Sequence, residues 1–372
     1  MKGLAAREAP PPSVLHVELV ASETSAPYNE HCLPRVGSRS LALCTYFDSS
    51  VEPPPELPMT GGGGTPLGFL RALDAAIRRE QPDVIHTHTP HVGVFFLLLC
   101  LWRRGLRRRS VATIHNCYPN FRLRNKLMML PIFAAFERVV CCSESSLESF
   151  PALYRWLAGK RLRAVQNGLD TERIDRVLDR ESESAPAAGS EEHRFTVVSI
   201  GRLVPIKNPL ATVRSFARAA EERSRLLWIG DGPLSEPVRR EGAALRCGIE
   251  LTGILPRDEV YRTLARADVF VSNSFGEGLP LAPLEAMACE CPVILSDIPP
   301  HREFADGCDF VPLLSPDDVE GFAAELRRFA GMPATERQAI GRRSREWVTS
   351  RFNKERMLER YAAIYAEVAN AG

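Results

Sequence analysis

Short runs of β-branched and aliphatic residues alternate with longer amphipathic segments along nearly the whole chain, and this alternation restricts the fold more than any other feature. Residues 14–20, 40–46, 83–88, 110–115, 138–142 and 162–165 read as strands, and the rhythm then restarts at 195–200, 226–229, 249–252, 269–271 and 292–295. Strands separated by helical stretches form parallel sheets from βαβ units. Two such series predict an α/β protein with two doubly wound, Rossmann-like domains. Ligands bind these sheets outside the carboxyl ends of the strands, so two domains facing one another would enclose a cleft.

A chain of 372 residues, 45% hydrophobic and 25% charged, is long enough for two separate cores. Residues 181–193, rich in Glu, Ser and Ala, cannot pack a core and read as a linker between a domain at 1–180 and a second at 194–350. That leaves 351–372 as a closing C-terminal helix, placed to pack back on the first domain. Segments 334–350 and 353–369 carry helical periodicity, with Tyr361, Ile364 and Tyr365 on one side. A net charge of +1 offers no reason to expect nucleic acid as a partner. Ten scattered cysteines without C-x-x-C spacing, and no secretory leader, suit reduced thiols and a cytoplasmic location. The longest apolar run, 92–102, falls short of the roughly 20 residues a membrane-crossing helix needs. The run Gly61 to Gly64 lacks the Lys-Ser/Thr of a phosphate loop and reads as a flexible surface loop.

Chemistry concentrates in the second series. Residues 277–285, EGLPLAPLE, place two carboxylates eight positions apart across a loop and a helix start. Gly278 allows tight backbone geometry, and Pro280 reads as the first helical residue, with Pro283 in the same turn. The amides of Leu281 and Ala282 then lack intrahelical acceptors and point along the positive end of the helix dipole, where a phosphate is favoured. Glu277 lies before this helix and Glu285 inside it, so one can face a sugar and the other a ribose. A second turn, IGRLVPIKNP at 200–209, offers close backbone approach at Gly201 and two cations, Arg202 and Lys207, within reach of a diphosphate. Asn208 reads as its N-cap and Pro209 as the first helical position. The turn IGDGP at 229–233 contributes Gly232; Ser235 stands where the last glycine of a G-x-G-x-x-G dinucleotide motif would be.

These motifs, in this order and spacing, resemble glycosyltransferase family 4, as do the continuation AMACECPVILS at 286–296 and the later Glu303. The resemblance spans about residues 195–305. It implies the GT-B fold and a retaining transferase that uses a nucleoside-diphosphate sugar and no metal or other cofactor. It also implies polysaccharide or cell-envelope synthesis. By it, Glu285 binds the ribose hydroxyls, Glu277 a hydroxyl of the donor sugar, and Arg202 with Lys207 the diphosphate. Gly201, Gly232, Gly278, Leu279, Leu281 and Ala282 complete the donor set. In the first domain the similarity is looser. It makes His115 the match to a family histidine near the reacting sugar, hence catalytic with Glu277, Arg202 and Lys207, and assigns His88, Asn116 and Asn167 to the acceptor side. After the first strand, 21–31 stands where the family has a glycine-rich loop, so the acceptor, a glycan or lipid-linked glycan, is not specified.

Each motif also has a plain structural reading. His115 can be a hydrogen-bonded strand-end histidine. His86, His88 and His91 invite a metal reading, yet Asp83 is the one nearby carboxylate and no ligand set is completed. Residues 92–126 hold an apolar segment followed by Arg103, Arg104, Arg107, Arg108, Arg109, Arg122, Arg124 and Lys126, without any acidic residue in the stretch. This patch over 103–126 either binds an anionic membrane surface, giving a peripheral position on the cytoplasmic face, or is a solvated flank of a packed helix. A nucleotide-sugar epimerase or glycosyl phosphorylase on the same architecture, and a non-catalytic nucleotide-sugar-binding module, are the rival functions.

Overall fold

The computed structural model describes residues 10–22, 25, 27–33, 41–103, 105–184, 194–220 and 223–371. They divide into two compact units: unit 1 is Met1–Cys142, Phe150–Val165 and Glu355–Gly372, and unit 2 is Ser143–Ser149 and Gln166–Lys354.

Unit 1 is built on β1 (Val14–Glu18), β2 (Leu41–Thr45), β3 (Met59–Gly61), β4 (Val84–Thr87), β5 (Ser110–Ile114), β6 (Arg138–Cys141) and β7 (Leu162–Ala164). They form a seven-stranded sheet in the order β3-β2-β1-β4-β5-β6-β7, with every pairing parallel. Helices α1 (Pro66–Glu80), α2 (Pro90–Cys100) and α3 (Leu123–Ala135) connect strands, α4 (Glu144–Glu148) belongs to unit 2, and α5 (Ala152–Ala158) returns the chain to β7. The central strands are buried along their whole length, as expected of a parallel sheet covered on both faces. Met357, Tyr361, Ile364, Tyr365 and Val368 recur at helical spacing in the last helix of the chain and pack on Val14, Val84, Val111 and Val140.

Unit 2 holds β8 (Phe195–Ile200), β9 (Ser224–Ile229), β10 (Ile249–Gly253), β11 (Val269–Ser272), β12 (Val293–Ser296) and β13 (Leu313–Leu314), in the order β10-β9-β8-β11-β12-β13. Its helices are α6 (Thr171–Ser184), α7 (Pro209–Ala219), α8 (Ser235–Ala244), α9 (Arg257–Ala265), α10 (Leu281–Ala288), α11 (Pro299–Ala305), α12 (Val319–Gly331) and α13 (Ala334–Arg351); α14 (Lys354–Ala371) is the helix that covers the sheet of unit 1. Val197, Val213, Phe216, Trp228, Val271, Phe322 and Phe329 lie at the heart of the unit 2 core. Both sheets therefore have the doubly wound order in which winding reverses beside the first strand, at β1/β4 and at β8/β11. Those reversals are where such sheets take ligands.

Every strand read from the sequence is present. β3 and β13 were not foreseen, because edge strands of three and two residues carry no periodicity. The Gly61 to Gly64 run is not the loose loop expected: Gly61 ends β3, and the Gly62 amide donates to the Thr45 carbonyl at 2.9 Å. A Cβ at Gly62 would lie 2.8 Å from Phe69 Cα, so glycine is there for close packing. After β1 the chain forms a buried π-helical turn, Pro27–Cys32, where the family resemblance led one to expect glycines. Helix α6 runs through residues 181–184 of the segment read as a linker, and 185–193 lie outside the described residues.

Candidate functional site

The turn after β8 and the loop after β11 are neighbours because those two strands pair. Gly201 leaves β8 with φ 150°, and its carbonyl accepts from the Trp228 indole N–H at 2.8 Å. A Cβ at Gly201 would sit 3.2 Å from Lys207 Cε, so glycine leaves room for that side chain. The chain then makes one 3-10 turn, Pro205–Lys207, and enters α7 through Asn208. Asn208 occupies the N-cap position as expected but does not cap. Its backbone is left-handed at φ 49°, and its side-chain amide donates instead to the Pro316 carbonyl at 2.9 Å. Gly232 belongs to the adjacent turn and would place a Cβ 2.6 Å from the Leu203 carbonyl oxygen.

The β11 loop is tied to this turn by the Phe275 amide, which donates to the Ile206 carbonyl at 2.8 Å. Lys207 Nζ meets Glu277 Oε1 at 2.6 Å. Burial pushes the Glu277 carboxyl up, but the Lys207 charge, His301 and hydrogen bonds from Lys207 and Ser274 together outweigh it and hold the group below its ordinary value. His301, which the sequence did not single out, is fully buried and bonded to the Ser296 carbonyl, and burial takes its pKa down to about 4, leaving it neutral. Arg202, by contrast, is exposed, and no ion pair of it is present among the described residues.

Pro280 is the N-cap of α10 with an extended backbone, not its first helical residue, so Leu281 and Ala282 take the first two helical positions and Pro283 the third. The shift keeps the expected chemistry: Leu281 and Ala282 still present amides without intrahelical acceptors. Glu285 is buried inside α10 and accepts from Arg257 Nη2 at 2.5 Å, with the Tyr261 hydroxyl at 3.4 Å. Two flanking segments hold the loop backbone: the Ser143 hydroxyl donates to the Gly278 carbonyl at 3.1 Å and the Asn167 amide to the Leu279 carbonyl at 3.0 Å. Asn167 thus touches the loop of unit 2 itself. Glu303 receives the amides of Glu144 and Ser145 at 3.0 and 2.8 Å and Gln166 Nε2 at 2.8 Å, which fixes these flanking segments. Arg257 and Tyr261 carry no local signal; the packing of α9 beside α10 brings them to Glu285.

In unit 1, His88 and His115 lie at the ends of β4 and β5, 3.1 Å apart between Nδ1 and Nε2. Asn116 bonds locally, its Oδ1 accepting from the Cys117 amide and from Asn120. His91 does not join His86 and His88 but contacts Arg124 at 2.9 Å. His16 from β1 takes that place, and nitrogens of His16, His86 and His88 lie within 4.8 Å of one another. Both nitrogens of His86 and both of His88 already make hydrogen bonds, so the group is a hydrogen-bonded network.

Parts of the basic patch have structural duties. Arg103 pairs with Asp74 at 3.0 Å, and Arg107 and Arg109 donate to the carbonyls of Ala135 and Pro82. Arg104 lies outside the described residues. Helix α2 buries Val92, Phe96 and Leu99, whereas Leu101 and Trp102 just beyond it are 69% and 74% exposed. No helix among the described residues is long and apolar enough to cross a membrane.

Residues 16–173 match the family model described as Glycosyltransferase Family 4, and 194–331 match Glycosyl transferases group 1. The sulfoquinovosyl transferase of Arabidopsis thaliana is 26% identical over 84% of this chain and 59% of its own length. The UDP-Gal:alpha-D-GlcNAc-diphosphoundecaprenol alpha-1,3-galactosyltransferase of Escherichia coli is 27% identical over 62% of this chain and 61% of its own. The chain thus spans about three fifths of the length of each of these relatives. Sucrose-phosphate synthase from Thermosynechococcus elongatus superposes with a TM-score of 0.79 at 17% identity, covering 97% of this chain and all of its own, a likeness of fold. That fold is the GT-B arrangement of two Rossmann-like domains.

Proposed function

Since the chain belongs to glycosyltransferase family 4, we propose that it moves a sugar from a nucleoside-diphosphate sugar to a hydroxyl of a glycan or lipid-linked glycan, with retention at the anomeric carbon. The observation that carries the reading is the meeting of Lys207 and Glu277 beside the first-turn amides of α10, at the point where the unit 2 sheet reverses its winding. Unit 2 is the donor half in this scheme and unit 1 the acceptor half.

The diphosphate lies against the amides of Leu281 and Ala282 and the backbone at Gly201, Gly232, Gly278 and Leu279. Arg202 and Lys207 supply its countercharge, and no metal is invoked. Glu285 takes the ribose hydroxyls and Glu277 a hydroxyl of the sugar. As the bond from the anomeric carbon to the phosphate oxygen breaks, its electron pair passes to the diphosphate, where fixed cations stabilise the charge as it develops. The acceptor oxygen bonds the same face of the carbon, and its proton goes to the departing diphosphate. His115 is assigned a catalytic place near the reacting sugar, and His88 and Asn116 the acceptor side. Asn167, whose amide holds the Leu279 carbonyl, supports the donor loop.

The names of the relatives, one of which includes a diphosphoundecaprenol acceptor, favour a lipid-linked acceptor, and the remaining basic residues of 103–126 with Leu101 and Trp102 suit a peripheral place on an anionic membrane face. Pelleting with anionic vesicles, reversed by salt and absent with neutral ones, is the expected result; no pelleting with either ends the membrane reading. For the reaction itself, a thermal-shift screen of nucleoside diphosphates and their sugars comes first, since a ligand bound to the native state raises the melting temperature. Product NMR then shows whether the anomeric configuration is kept. Donor isomerisation without transfer, or a requirement for free phosphate, would favour an epimerase or a phosphorylase instead.

A further inference from the structure

The sheet of unit 1 reverses its winding between β1 and β4, and a group of histidines sits at this reversal. His16 and His86 are partners in the β1/β4 register, so their side chains share one face, and His88 lies two positions after His86, just past the end of β4. His115 follows β5 directly. His16 Nδ1 is 2.8 Å from His88 Nε2 with the rings nearly parallel, at 12°, and His88 Nδ1 is 3.1 Å from His115 Nε2. These links join the three imidazoles in a row.

A neutral imidazole carries one N–H and one lone pair, and each nitrogen-to-nitrogen link needs one of each. Only two proton arrangements satisfy both links. In one, His115 Nε2 donates to His88 and His88 Nε2 donates to His16, which leaves His115 Nδ1 as a lone pair. In the other, every link is reversed, and His115 Nδ1 carries the proton. His88 and His115 are held neutral by burial, so neither arrangement gains a proton at ordinary pH. The row cannot swing: His86 packs against His88 with ring centroids 4.0 Å apart and is itself fixed by the hydroxyls of Tyr365 at 2.8 Å and Thr113 at 2.7 Å. His115 Nδ1 is one end of the row. It is buried and has no hydrogen-bond partner among the described residues.

We propose that His16 and His88 are positioning residues that fix the tautomer of His115, so that its Nδ1 meets a sugar or acceptor hydroxyl in one defined role, as donor or as acceptor. This rests on the proposed transferase reading, in which His115 lies near the reacting sugar. A hydroxyl suits the site because it can donate or accept, and so answers whichever arrangement the row holds.

The test uses the full-length protein with ring-labelled histidine. In the wild type, the ¹⁵N shifts of His115 should report one tautomer. In His88→Phe, which removes the link, they should report a mixture, and kcat for transfer should fall about 10-fold or more while the KM for the donor stays within about 2-fold. A wrong tautomer in a serine-protease triad costs on the order of 10,000-fold, so a loss of this size is modest. His88→Gln, which keeps a donor and an acceptor, should recover part of the rate. Should His88→Phe fail to fold, His16→Phe is read in the same way, since it breaks the far link. An unchanged His115 spectrum with unchanged kcat in the folded variant overturns the proposal. So does stoichiometric binding of Zn²⁺ that is lost in His16→Phe, because a metal at these nitrogens would replace the links. Absence of any nucleotide thermal shift and of transfer in the wild type would instead sink the transferase reading, while the tautomer spectrum would still report on the row.

Discussion

Lys207 and Glu277 meet at 2.6 Å although seventy positions separate them in the chain, one at the end of the turn after β8 and the other in the loop after β11. The pair joins one of the two cations proposed for the diphosphate, Lys207, to the carboxylate proposed for the sugar, so a change in either residue has consequences for both binding and stability.

Lys207→Ala and Arg202→Ala should each lower kcat on the order of 100-fold to 1,000-fold, the usual cost of one fixed donor to a developing anion. Their stabilities should part. Lys207→Ala leaves a buried carboxylate without its cation and should lower the melting temperature, whereas Arg202 is exposed and its loss should leave melting nearly unchanged. Steady-state kinetics with paired melting curves checks this, and normal turnover in both variants would remove them from the diphosphate.

Glu277 has a folded-state pKa below its ordinary value, so its ionisation stabilises the native state. That contribution is fully present above the ordinary value of 4.5 and is lost as pH falls through the lower, folded value. Urea unfolding of the wild type and of Glu277→Gln should therefore differ at pH 7 and draw together as pH falls below 4.5. A gap that stays constant across this range would contradict the assignment.

Glu18 behaves in the opposite sense. Burial lifts its carboxyl to about 7 despite the hydrogen bond from Ser25. Below the ordinary value of 4.5 both states bind the proton and nothing is lost. As pH rises towards 7 the unfolded chain ionises first, and stability falls. Glu18→Gln should thus match the wild type near pH 4 and exceed it at pH 8 by up to about 3 kcal/mol. Equal stabilities at pH 8 would show that the carboxyl ionises without penalty.

Gly230 combines φ 134° with a carbonyl 2.3 Å from where a Cβ would stand, that of Gly201. Gly230→Ala should cost on the order of 1–3 kcal/mol and displace the turn that carries Arg202, weakening the thermal response to nucleoside diphosphates. Retention of both stability and response would mean that the turn relaxes freely.

Much of this was legible in the chain. Strand positions, the turns at 200–209 and 229–233, and the helix start near 281 follow from local rules of periodicity, glycine and proline, and such rules act over a few residues. They slipped by one position at Pro280 and misjudged how Asn208 enters its helix, where a left-handed backbone won over a side-chain cap. They missed β3 and β13, whose three and two residues are strands only because a neighbour pairs with them.

By itself, then, the sequence determined that two parallel α/β sheets form and which turns end their central strands, because backbone propensity and hydrophobic period are local properties. Only the tertiary structure decided which side chains meet across those turns. Lys207 finds Glu277 because β8 pairs with β11, Glu285 finds Arg257 and Tyr261 because α9 packs beside α10, and His88 meets both His16 and His115 because β1, β4 and β5 lie side by side. These meetings depend on strand order and helix packing, which are non-local and leave no period in the chain.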